Sequence, residues 1–227
     1  MTKRIKITSK DIAVAALFLS LILLFVFVPI NFMGIDVAFI PLIAIFIAAD
    51  VEGFGMGLFS GLCFGLASLT SAFLRPGLLS PIFYNPLVSI VPRLIIPISA
   101  YFAFKLVKKL LKNRSDDAST FIASTVSALC GVVTNTALVV SMMAAFNFGK
   151  TFGGVTIGKA FLVSLLGVNF VIELASCALI TPIVCTALRL ALGKDKRKKK
   201  SPAAEDAAVN MPEGQEAAPT EKGEEKE

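Results

Sequence analysis

Apolar residues fill this chain in long blocks separated by short polar breaks, with no soluble-length interval between residues 12 and 188. A helix rises 1.5 Å per residue, so ~20 apolar residues cross a hydrocarbon core. Six blocks are candidate spans: Ile12–Pro29, Ile35–Ala49, Gly53–Phe73, Leu87–Phe104, Ser119–Phe146 and Ala160–Leu188. The first is too long for the apolar region of a signal peptide and is read as a retained span. The second is short and carries Pro41, so its assignment rests on charge. With six spans and a cytoplasmic start, the N-terminus, Lys105–Arg114 and Arg189–Lys200 face inside, holding 4, 5 and 7 basic residues. The outer loops keep only Arg75, Lys150 and Lys159. Dropping the second span would put Lys105–Arg114 outside, against the positive-inside rule. The pattern predicts an all-α membrane protein of six transmembrane helices with both termini cytoplasmic.

One stretch breaks the apolar monotony. Leu74–Pro97 reads LRPGLLSPIFYNPLVSIVPRLIIP and holds five of the chain's eleven prolines. Pro76, Pro81 and Pro86 are expected to interrupt regular helix, because proline lacks an N–H and clashes with the preceding turn. Pro92 and Pro97 fall in apolar sequence, where neighbouring helices can rescue broken backbone pairing. Arg93 lies among them, and a lone arginine in a span costs about 2.5–3.5 kcal/mol unless it is paired or faces a cavity. An outer loop running into a membrane helix is expected, with Arg93 aimed inward.

Other polar residues are expected at a similar depth. Counted from the outer helix ends, Arg93 lies roughly 12 Å in, Asn135 roughly 16 Å and Asn169 roughly 15 Å, with Glu173 one turn deeper on the same face. Spans four, five and six thus bring polar side chains to one level, which suits a cavity open to the outside. The loops Asn31–Asp36, Arg75–Asn85 and Asn147–Gly158 would cap it. A plainer reading stands beside this one: Arg93 and Glu173 form a buried ion pair that only locks two helices.

Small residues form two stripes. Ala13, Ala16 and Ser20 share a face of the first helix, and Gly53, Gly57, Gly61 and Gly65 recur every four residues in the third. Without bulky side chains helices approach closely, which in lipid replaces the missing hydrophobic drive. The glycine row reads as packing within the chain; the first stripe reads equally as packing or as a surface for a second protein. The inner Asp50–Glu52 break reads as turn chemistry.

Composition narrows the function. At 56% hydrophobic and 17% charged residues, a soluble domain is excluded. The chain has no histidine, which removes the usual zinc-hydrolase and triad arrangements. Cys63, Cys130, Cys177 and Cys185 all lie in apolar runs without C-x-x-C spacing and read as small packing residues. Neither a metal, a cofactor nor an enzymatic role is expected. The basic run 193–200 reads as an anchor to anionic membrane lipid rather than to nucleic acid. Residues 201–227 carry eight acidic and two basic groups without apolar periodicity and predict a disordered acidic tail. The membrane domain is accordingly 1–192.

Taken together, the six spans, the first-helix stripe, the loop SPIFYNPLVSIVPR (Ser80–Arg93) and the basic exit resemble the S components of energy-coupling-factor (ECF) vitamin transporters. The resemblance covers roughly residues 8–192. Its most specific element is N-P-L-V-S-x-x-P-R, Asn85–Arg93, which resembles the riboflavin, folate and pantothenate branch. The family's first-helix signature A-x-x-x-A has its nearest match in Ala16-x-x-x-Ser20. The resemblance implies capture of a vitamin or precursor outside and delivery inward with a shared transmembrane coupling subunit and two cytoplasmic ATPases. No G-x-x-x-x-G-K-[ST] motif occurs, so ATP hydrolysis would belong to those partners. The substrate-binding residues expected are Arg93, Asn135, Asn169, Glu173, Asn85, Tyr84 and Arg75; Ala13, Ala16 and Ser20 are expected to dock the partner. An arginine without any tryptophan favours a compact carboxylate such as pantothenate, although the 19 phenylalanines also suit riboflavin. A self-sufficient transporter or channel using Glu173 for proton coupling is the alternative.

Overall fold

The computed structural model describes residues 9–28, 31–32, 35–36, 39–75, 80–152 and 154–193. The chain divides into a helical unit, Met1–Asp195, and a second unit, Lys196–Glu227. The basic run 194–200 and the expected acidic tail 201–227 lie outside the described residues, as does Pro76.

Among the described residues seven α-helices carry the fold: α1 (Ser9–Phe27), α2 (Phe39–Ile47), α3 (Phe54–Leu74), the short α4 (Ser80–Phe83), α5 (Pro86–Leu110), α6 (Asp116–Asn147) and α7 (Lys159–Ala191). Two small antiparallel ladders stand between them. In one, β1 (Asn31–Phe32) pairs with β2 (Ile35–Asp36); in the other, β3 (Thr151–Phe152) pairs with β4 (Val155–Thr156) around Gly154, whose φ of 84° favours glycine. Helices α1, α3, α5, α6 and the Phe170–Ala191 part of α7 are long and apolar enough to cross a membrane.

The second expected span differs from the other five. Ile35 and Asp36 belong to a ladder, so helix starts only at Phe39, with Pro41 tolerated in its first turn. Beyond Ile47 the chain continues as a π-helical turn, Ala48–Glu52, which Gly53 ends with φ of 105°. Every residue from Pro41 to Val51 is buried. A helix apolar on all sides belongs inside a protein, and α2 is the centre around which α1, α3, α6 and α7 pack. Its shortness is tolerable because its sides meet other helices rather than lipid.

The glycine row of α3 resolves into two functions. A side chain at Gly57 would meet Ala49 at 2.8 Å and Pro97 at 3.3 Å, and one at Gly65 would meet the Ile90 backbone at 3.1 Å. At Gly61 it would collide with the Arg93 carbonyl. These three glycines seat α3 on α5, as the spacing predicts. Gly53 has nothing within 4 Å and serves the turn instead.

The prolines behave as their chemistry requires. Pro81 enters the first turn of α4, and Pro86 opens α5 where its missing N–H costs no helical bond. Helix α5 then runs unbroken past Pro92 and Pro97 to Leu110. Each interior proline deprives the carbonyl four residues earlier of its partner: Pro92 frees Val88, and Pro97 frees Arg93.

Candidate functional site

The Val88 carbonyl left free by Pro92 is taken up by the residue that follows the proline. Arg93 Nη1 donates to Val88 O at 2.9 Å, so the adjacent Pro92 and Arg93 form one local unit. The side chain is thereby folded back along α5 toward the N-terminal end of that helix. It is only 8% exposed. Its guanidinium lies 5.5 Å from the Phe64 ring centre on α3 and 5.6 Å from that of Phe83 on α4, within cation–π range of both. The Arg93 Nε has no hydrogen-bond partner among the described residues.

Two separate apolar clusters define the level at which this happens. The larger is built on α2 and includes Phe64, Ile96, Val132 and Cys177. The smaller, on the loop side, joins Ile82, Val88, Met143 and Ile157, with Phe83 and Val139 packed against it. Along α5, Arg93 falls between Val88 of the smaller cluster and Ile96 of the larger. Along α6, Asn135 falls between Val132 and Val139 in the same way. Asn135 Oδ1 is buried and also lacks a hydrogen-bond partner among the described residues. Glu173, 6% exposed, sits on α7 between Phe170 and Leu174 at the margin of the larger cluster. The side chain of Asn169 lies outside the described residues.

Arg93 and Glu173 do not close into an ion pair. They act on one another through space, whereas Lys108 and Asp116 do reach contact distance, at 3.9 Å between α5 and α6. The helix-locking salt bridge offered by the sequence is therefore not formed. What stands at this level is a buried cation with a free donor, a buried carboxylate and a free amide oxygen. A free N–H donor beside a fixed positive charge can receive an anionic oxygen; Glu173 and the Asn135 oxygen can accept from hydroxyl or amide donors.

The remaining expected residues stand apart from this group. Asn85 caps α5, its Oδ1 accepting from the Leu87 N–H at 3.0 Å, which fixes its side chain at the helix start. Tyr84 stacks on Phe73, centres 4.6 Å apart and planes 8° from parallel. Arg75 is exposed where α3 ends. Ala13, Ala16 and Ser20 all lie on the exposed face of α1, opposite the buried Phe18 and Ile22. The Ser20 hydroxyl donates to Leu17 O at 2.9 Å, which leaves that face without an outward-directed donor.

Two features escaped the sequence. Phe64 and Phe83 gave no signal in a chain with 19 phenylalanines. Asp50, expected in an inner turn, is only 3% exposed. It accepts from Ser127 Oγ of α6 at 2.8 Å, and its main-chain oxygen accepts from Arg189 Nη1 of α7 at 2.9 Å. The turn assignment stands in the π-helical geometry of Ala48–Glu52.

Among curated proteins the comparison returns no match. The family of ECF transporter substrate-specific components matches residues 10–185, a span that holds three of the five membrane-length helices whole and most of the other two, the Asn85–Arg93 segment and every polar residue of the level just described. The chain therefore belongs to the ECF transporter substrate-specific components: it is a multi-pass membrane subunit that binds substrate for a transporter, in a family that is not one of enzymes.

Proposed function

We propose that the chain captures a vitamin or vitamin precursor bearing an anionic group, which Arg93 receives at an outward-facing cavity. The observation that carries this reading is the buried Arg93 Nε without a partner, set between the Phe64 and Phe83 rings where the two apolar clusters separate. A desolvated donor left unmade is costly, and an incoming carboxylate would complete it. Asn135, Asn169 and Glu173 accept from the ligand's hydroxyl or amide groups, while Tyr84 and Arg75 belong to the rim. Pantothenate fits this set first, with folate, also a carboxylate, after it; riboflavin, being neutral, would use the rings and the polar acceptors and leave Arg93 without an anion.

In this reading six spans, α2 with its π-turn being the second, put both termini in the cytoplasm of a bacterial cell, on the distribution of basic residues. The exposed Ala13–Ala16–Ser20 face of α1 docks a transmembrane coupling subunit energised by two cytoplasmic ATPases. The domain 1–192 binds substrate, 193–200 anchors at anionic lipid, and 201–227 is a disordered acidic tail.

The test is to purify the chain from cells grown in rich medium and identify the co-purifying small molecule by mass spectrometry. A vitamin carboxylate released on denaturation is expected; a neutral or cationic ligand would refute the role of Arg93. Uptake by the chain alone in proteoliposomes under a proton gradient would replace the coupling-subunit reading with a self-sufficient transporter using Glu173.

A further inference from the structure

The two charged residues of the candidate site ride on helices held in different ways. Arg93 belongs to α5, which is seated on Gly57, Gly61 and Gly65 of α3 with almost no room for adjustment. Glu173 belongs to α7, which packs mainly on α6 and α2. Between Glu173 and the inner end of α7 lies Pro182. It cannot donate to the Ala178 carbonyl, so the helix has a weak point there.

At that inner end Arg189 reaches other elements of the bundle. Its Nη1 donates to Asp50 O of the π-turn at 2.9 Å. The bond that closes the π-turn, Gly53 N to Ala48 O at 3.1 Å, uses a different carbonyl. The Arg189 guanidinium also covers the Phe104 ring of α5 at 5.4 Å. Asp50 in turn holds α6 through Ser127 at 2.8 Å. One side chain thus ties α7 directly to the π-turn and to α5.

The levels agree with a lever. From Arg93 to Phe104 is about 16 Å along α5, and from Glu173 to Arg189 about 24 Å along α7, at 1.5 Å per residue. An arginine side chain leans back toward its own helix N-terminus, which brings the two lengths together.

We propose that Arg189 is a positioning residue for Glu173, acting through the inner end of α7. The contacts to Asp50 and Phe104 fix that end, Pro182 is the pivot, and the arm above it carries Glu173 toward or away from Arg93. Arg93 is then the fixed half of the site and Glu173 the adjustable half. This rests on the reading of Glu173 as a ligand contact, but the tie itself is testable without ligand.

Hydrogen–deuterium exchange on the detergent-purified full chain reads the tie directly. Arg189→Gln is expected to speed exchange about tenfold, equivalent to ~1.4 kcal/mol of opening, in the π-turn around Gly53 and in α7 around Pro182. Exchange in the α5 stretch around Arg93 should stay unchanged. Arg189→Lys keeps the charge but loses the planar fork and should fall between the two. Exchange equal to wild type in both stretches overturns the tie.

A binding arm uses radiolabelled pantothenate, riboflavin and folate as separate probes. On a probe that binds wild type, Arg189→Gln should weaken affinity about tenfold alone and less than about twofold in a Glu173→Gln background. The same loss in both backgrounds overturns positioning through Glu173. Should none of the three bind wild type, pantothenate, riboflavin and folate are excluded as substrates, and unchanged exchange around Glu173 in Arg189→Gln overturns the positioning. If Arg189→Gln does not fold, Arg189→Lys carries both arms.

Discussion

Replacing Pro92 and Arg93 singly and together tests whether they form one structural unit. Arg93→Met removes a buried hydrogen bond from a charged donor to Val88 O, worth about 1.5–3 kcal/mol. It also removes two partly desolvated cation–π contacts, at about 0.5–2 kcal/mol each. Against these stands the relief of burying a guanidinium, an effect of several kcal/mol in the opposite direction. The net change is expected to be a destabilisation of about 1–2 kcal/mol, dominated by the orphaned carbonyl. That carbonyl is orphaned only because residue 92 has no N–H. In a Pro92→Ala background the new amide bonds Val88 O itself, and Arg93→Met should then cost about 1 kcal/mol less. The four cysteines are not disulfide-bonded, and Cys177 and Cys185 are fully buried, which suits unfolding followed with a thiol-reactive dye. Ligand affinity should be lost in both backgrounds, because a methionine offers no donor to an anion. Strictly additive stabilities would refute the shared carbonyl, and wild-type affinity in a well-folded double variant would remove Arg93 from the site.

Gly61→Ala should lower folded yield, since its Cβ meets the Arg93 carbonyl and Pro97, an overpacking of about 1–3 kcal/mol. Gly55→Ala, with open space around it, should be neutral or stabilise by up to about 1 kcal/mol; equal unfolding temperatures for the two would discredit the close approach of α3 to α5. Asn85→Ala should cost about 1 kcal/mol of stability through the lost cap and leave affinity unchanged, so that a fall in affinity without destabilisation would restore Asn85 as a ligand contact. Ala16→Leu, on an exposed face of α1, should bind ligand normally and fail in cellular uptake; normal uptake would remove that face from docking. Deleting Ser201–Glu227 should leave affinity unchanged, and a tenfold loss, about 1.4 kcal/mol, would show that the tail orders part of the pocket.

The amino-acid sequence by itself determined the elements whose cause is local. Membrane-length helices follow from summed transfer free energies of neighbouring residues, and five of the six expected spans stand where the apolar blocks put them. The glycine spacing announced a close helix contact, and Pro86 marked where α5 begins, whereas the short α4 around Pro81 stands where a loop was expected. The bond from Arg93 to Val88 also has a local cause, since Pro92 and the carbonyl it frees lie within five residues of Arg93, but the expectation was rescue by neighbouring helices. Tertiary structure decided the rest. Whether the short second block is a span or a buried centre depends on which helices surround it, and that is a property of the whole bundle. Phe64 covers Arg93 from another helix, and Ser127 reaches Asp50 across 77 residues of chain; no local pattern encodes either contact. The uncertain reading of Arg93 and Glu173 had the same origin. Sequence spacing fixes depth along a helix to within a turn, whereas an ion pair requires the rotation and separation of two helices to be right within about an ångström. Here α5 takes its setting from the glycines of α3, and α7 from α6, α2 and Arg189. Those settings leave the two charges in each other's field but not in contact.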